Sequence, residues 1–173
     1  MPSYTELFGN SVSRPQVVDW GEVERRLGTS LPLDYRDFCE EFPALYFDSH
    51  ITILHPGANS IHGNLLQKGC GILGEWQHIE KMPGLDLPYS IFPSSGGLLP
   101  WGYDDDNGQY FWRTEGALKD WTIVIFESFQ WWEHAGGFFD FWSSLVLRKI
   151  SPPVLPGGFP SKDYSVETFD ELV

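Results

Sequence analysis

The sequence predicts an α+β fold: a single domain built on a mainly antiparallel sheet with helices packed against one face. Three observations predict it. Two short amphipathic helical patterns open the chain and a third stands mid-chain. From Pro88 onward the pattern changes to short β-branched and aromatic runs separated by turn residues. A strongly aromatic helical pattern then follows the last of these runs. Strands joined by short turns pair antiparallel, and a sheet with one apolar face needs helices to bury it.

Asp19 is placed to cap a first helix in which Trp20, Val23 and Leu27 recur at helical spacing and Gly28 supplies the stop. A second helix starts near Asp34, with Tyr35, Phe38, Cys39 and Phe42 on one face and Arg36, Asp37, Glu40 and Glu41 on the other, and ends before Pro43. Ile51 to Leu54 is β-branched and bounded by a Pro-Gly turn, so it reads as a strand. Gly71 to Met82 carries Ile72, Leu73, Trp76 and Ile79 at helical spacing and stops at Pro83-Gly84. Four strands are then expected at Tyr89 to Phe92, Leu98 to Tyr103, Gln109 to Arg113 and Trp121 to Glu127, with Asp104 to Gly108 as an Asn-Gly-containing turn. Phe138 to Leu147 is the last helix, and its Arg148-Lys149 end suits the helix dipole. The domain is accordingly set at residues 17–150. Residues 1–16 are an N-terminal extension, and 151–173 are a Pro/Gly-rich then acidic tail over the surface.

A chain of 173 residues with 42% apolar content is enough for one core, and eight Trp with thirteen Phe give that core an aromatic character. The 24 acidic and 11 basic residues leave a net charge of −13, which excludes a phosphate-tracking surface and favours encounter with a basic protein. Two cysteines, Cys39 and Cys70, make neither a disulfide framework nor a zinc-like spacing. No signal-peptide pattern opens the chain and no apolar run approaches a membrane span, so a reducing cytoplasm is the expected compartment.

Candidate chemistry is sparse. Gly69 to Gly74 matches G-x-G-x-x-G, but no convincing strand precedes it and βαβ alternation is missing, so a glycine-rich helix entry is the better reading. Aligning an EF-hand on Gly108 puts Tyr103 and Thr114 where the first and last carboxylate ligands must stand, so calcium chemistry fails at its strictest positions. His50, His55, His62, His78 and His134 show no ligand spacing, and no nucleophile elbow occurs. A glycosidase-like pairing of Asp104, Asp105 or Asp106 with Glu75 or Glu127, with Trp101, Trp131 or Trp132 stacking a sugar, is permitted by composition without being indicated by it. No cofactor or metal is expected.

Three segments together resemble the SUKH superfamily, which includes bacterial toxin-immunity proteins and a fungal regulator of cell-wall synthesis. They are Trp20 to Gly28 with Leu31 to Phe38, the glycine-and-acid hairpin Leu99 to Trp112, and Trp121 to Phe126 followed by the aromatic helix. The likeness spans about residues 17–150 in the family's order, but Glu41 to Leu45 stands where the family has Asn-Gly-Gly. It implies a SUKH-like α+β domain that is not an enzyme and that binds a partner protein, most often a toxin. The acidic balance adds the expectation of a basic, nuclease-type toxin as partner. On this reading Asp104, Asp105 and Asp106 are exposed carboxylates, Trp101 and Tyr103 aromatic anchors, and Glu40 and Glu41 secondary contacts. The rivals are a regulatory scaffold of the same fold and, behind it, a carbohydrate-active or metal-dependent enzyme.

Overall fold

The structure is a computed structural model and describes residues 2–10 and 13–171. Its strands are β1 (Leu45–Phe47), β2 (Ile51–Ile53), β3 (Leu98–Asp104), β4 (Gln109–Arg113), β5 (Thr122–Glu127), β6 (Gln130–His134) and β7 (Val166–Thr168). They form one antiparallel sheet in the order β6-β5-β4-β3-β2-β1-β7. The helices are α1 (Tyr4–Phe8), α2 (Trp20–Leu27), α3 (Leu33–Glu41), α4 (Cys70–Glu80) and α5 (Phe138–Val146). The α+β class expected from the sequence is the one observed.

Local chemistry sets several boundaries. The Asp19 carboxylate accepts from the Glu22 amide at 3.1 Å, and Gly28 closes α2 in the left-handed conformation at φ 79°. Asn64 caps a π-helical turn, Leu65–Gly69, that runs into α4, so Gly69 to Gly74 is helical throughout and no strand enters it.

Helices cover both faces of the sheet rather than one. On the first face α1, α2, α3 and α5 enclose the main core, to which the sheet contributes Leu99, Trp101, Tyr110, Trp112, Ile123 and Ile125. On the second, Ile72 and Trp76 of α4 pack on Leu98, Phe111 and Val124. Side chains alternate across a strand, so Tyr110 and Trp112 enter one core and Phe111 the other. That double burial makes the centre of β4 an uninterrupted apolar run.

Several expected elements change. Tyr89 to Phe92 is not a strand: between Pro88 and Pro93 only Ile91 bridges to Leu98. Strands β1, β6 and β7 have no counterpart in the sequence reading, because each is only three to five residues long and stable only when paired. Residues 4–8, set outside the 17–150 domain by sequence, form α1. Its Tyr4, Leu7 and Phe8 are buried, with Phe8 5.5 to 5.9 Å from the rings of Phe38, Phe42, Phe47 and Trp142. In the 151–173 tail, Val154 and Leu155 are buried and β7 adds to the sheet beside β1. Among the described residues no helix is long and apolar enough to cross a membrane.

Candidate functional site

Antiparallel order brings three turns to one end of the sheet: Asp48–His50 between β1 and β2, Asp105–Asn107 with Gly108 between β3 and β4, and Ser128-Phe129 between β5 and β6. These turns use left-handed backbone without glycine. Asp48 and Ser49 lie at φ 50°, Asn107 at 65°, Ser128 at 47° and Phe129 at 65°. Ser128 and Phe129 are the two central residues of a two-residue hairpin loop with the φ signs of a type I′ turn, where Asn-Gly is the favoured pair. Phe129 is nevertheless 94% exposed at this turn, a large apolar side chain displayed to solvent.

The acidic turn divides into a buried carboxylate and two exposed ones. Asp104 is 4% exposed, which corrects the expectation of an exposed side chain. Its Oδ1 accepts from the Gly108 amide at 2.7 Å and the Asp106 amide at 3.0 Å, and its Oδ2 accepts from the Tyr110 hydroxyl at 2.7 Å. His50 Nε2 stands 3.5 Å from the same Oδ2. Burial works to raise the Asp104 pKa, but the bonds from His50, Tyr110 and Gly108 outweigh it and hold the group below the ordinary range. The partner bond to Asp104 raises His50 in turn, against its own burial. Asp104 therefore folds the turn, while Asp105 and Asp106 are exposed. Asp105 is oriented by the Tyr46 hydroxyl, which donates to its Oδ2, and by its own amide, which donates to the His50 carbonyl at 3.2 Å.

The remaining expected contacts separate. Trp101 is fully buried, which corrects its expected role as an anchor. It sits at a β-bulge between Pro100 and Gly102 that aims its ring at Phe138, Phe141 and Trp142. Tyr103 is half-buried, donates to the His62 carbonyl at 2.8 Å and carries Lys68 over its ring at 4.7 Å. Glu40 and Glu41 are exposed on the C-terminal turn of α3, which feeds the opposite end of β1, so the fold does not bring them to the turns. Phe129 was not anticipated. A strand at Trp131-Trp132 would have exposed the signal, because Glu-Ser-Phe-Gln then becomes a hairpin loop.

Glu75 is exposed on α4, and Glu127 lies under the turns beside Asp104. A cleft of about 500 Å³ lies elsewhere, between Pro32 to Asp34, Ala117 to Lys119, Trp121 and Gly137-Phe138. Among the described residues no group of three or more His, Cys, Asp or Glu side chains is placed to hold a metal ion.

The family model SUKH_6, described as SMI1-KNR4 cell-wall, matches residues 19–141. The chain belongs to the SUKH superfamily. No curated protein and no solved structure matches it. The matched span runs from the Asp19 cap of α2 to Phe141 in α5, so it takes in all three turns. α1, β7 and the tail lie outside that span and pack on the same sheet and core. Membership is consistent with an immunity or regulatory domain.

Proposed function

We propose that this SUKH domain is a non-catalytic immunity protein of the cytoplasm that binds a basic, nuclease-type toxin through the turn end of its sheet and blocks it there. The observation that carries the reading is the pairing of two exposed carboxylates, Asp105 and Asp106, with a nearly fully exposed Phe129 on the neighbouring hairpin. Carboxylates in that position complement lysine and arginine that would otherwise hold phosphates, and an exposed aromatic ring supplies the apolar anchor that acidic rims lack. The net charge of −13 extends the attraction beyond contact and speeds encounter.

Co-expression with the toxin encoded beside this gene tests the reading. Protection and a stable complex are expected. Reversing Asp105 and Asp106 to Lys or changing Phe129→Ser should weaken binding by roughly 30-fold or more, the scale of a 2 kcal/mol hot spot, without unfolding the chain. Failure to bind or protect against any neighbouring toxin overturns it. The description of the matched family favours a second reading, a regulatory scaffold that binds a cellular enzyme of cell-wall synthesis. A gene neighbourhood without a secreted toxin, with capture of such an enzyme, would select it.

A further inference from the structure

Beneath the three turns lies a group of ionisable side chains that contact with a partner does not use. Glu127, at the end of β5, accepts from the Ser128 hydroxyl through Oε1 at 2.9 Å. Its Oε2 is buried and receives no hydrogen bond from any described group. That oxygen and Asp104 Oδ2 are the two atoms nearest to where a Cβ on Gly108 would sit, and both would overlap it. Gly108 does not have positive φ; its missing side chain is what lets carboxyl groups from two neighbouring hairpins meet. Two ionised carboxylates this close in a buried setting repel strongly, and one is forced to keep its proton. A single proton between them relieves the repulsion and gives the orphaned oxygen a bond at once, as O–H···O⁻.

We propose that Asp104 and Glu127 hold one proton in common, Glu127 donating to Asp104, and that this bond latches the β3–β4 turn to the β5–β6 turn, so that pH sets the stiffness of the binding end. The groups facing the pair are His50 from the β1–β2 turn, Asp105 and Asp106 from the β3–β4 turn, Tyr110 from β4 and Ser128 from the β5–β6 turn. Of these only His50 can be cationic, and Tyr110 donates as a neutral phenol. Burial raises the Glu127 pKa and the neighbouring Asp104 charge adds to it, whereas Asp104 is held low, so the proton resides on Glu127. A group raised on folding stabilises the fold below its unfolded pKa, and that stability is lost as pH rises through the folded pKa. His50 is raised as well, so it loosens the same end in the same direction.

The significance of the latch for binding rests on the function proposed above, but the latch is measured on the free, full-length chain. Carboxyl-carbon NMR is expected to place the Glu127 titration above the ordinary glutamate range and to move it down in Asp104→Asn. Amide exchange at Asp106 and Gly108, corrected for intrinsic rate, should accelerate as pH rises above the ordinary glutamate range, by up to about tenfold per pH unit. Glu127→Gln keeps a donor to Asp104 without a titrating proton and should reduce that rise to the part His50 contributes. A wild-type Glu127 that titrates in the ordinary range, or an unchanged rise in Glu127→Gln, overturns the latch. Either result would leave toxin binding intact, and a chain that latches but binds no toxin fails on function alone.

Discussion

Asp104 shows how one side chain decides what its neighbours can do. By accepting from the amides of Asp106 and Gly108 and from Tyr110, it fixes the turn that holds Asp105 and Asp106 in solvent. Replacing Asp104 with Ala leaves the buried Gly108 amide and Tyr110 hydroxyl unpaired, and an equilibrium urea titration should record a loss of about 3 kcal/mol. The depressed Asp104 pKa contributes stability that is full above its unfolded value and is lost as pH falls through the folded one. Asp104→Asn should therefore lower the urea midpoint at neutral pH and flatten its fall in acid. Gly108→Ala drives a methyl group into both carboxylates and should cost about 1–3 kcal/mol, the range for an overfilled site. Trp101→Ala belongs to a different class of effect. Its ring lies among Tyr110, Phe138, Phe141 and Trp142, and removing it should cost about 3–5 kcal/mol, seen as a loss of folded protein rather than a selective loss of binding.

At the scale of elements, the β5–β6 hairpin carries the clearest conflict between stability and display. Ser128 and Phe129 occupy left-handed conformations that cost L-residues about 1–2 kcal/mol each, and Phe129 gains little burial in return. Replacing the pair with Asn-Gly should raise the unfolding free energy by about 1 kcal/mol or more in denaturant titration, while weakening association with the partner. A variant that gained stability and bound as tightly as the native chain would remove Phe129 from the interface. The element boundaries that were readable in advance share a local cause. α2 has its Asp19 cap and left-handed Gly28, and β4 has a three-residue aromatic run bounded by Gln109 and Arg113. Of those that were not readable, β7 depends on a strand distant in sequence, Thr168 pairing with Leu45, whereas β1 and β6 are short strands held by hairpin pairings, Leu45 with Ile53 and Ile125 with Trp132.

For the whole molecule, the core joins parts of the chain that the sequence separates. Phe8 sits among Phe38, Phe42, Phe47 and Trp142, and the Tyr164 hydroxyl donates to the Leu7 carbonyl at 2.8 Å, so the first helix, the last helix and the tail close on one another. Removing residues 2–10 uncovers that aromatic cluster. It should cost several kcal/mol, on the scale of deleting a large core side chain, and a thermal melt of the truncated chain should show it. The charge of −13 acts at the same scale. If it steers a basic partner, stopped-flow association should slow about tenfold or more as salt rises from dilute to about 0.5 M, with much less change in dissociation. Association insensitive to salt would leave the surface charge without that role.

By itself the sequence determined the α+β class, the Asp19 and Gly28 caps of α2, the β3–β4 hairpin with its acidic loop and the likeness to SUKH domains, because these depend on residues near one another in the chain. The tertiary structure decided which side chains can meet a partner. Period and turn chemistry put Asp104, Asp105 and Asp106 in one loop. Only the packing of Tyr110, His50 and Glu127 around Asp104 separates a buried turn-former from two exposed acids. A bulge turned Trp101 inward and a short hairpin left Phe129 outside, and neither outcome is written in local periodicity. Exposure depends on what the rest of the fold lays over a residue, and that is fixed by pairings such as β1 with β7 that join segments far apart in the chain.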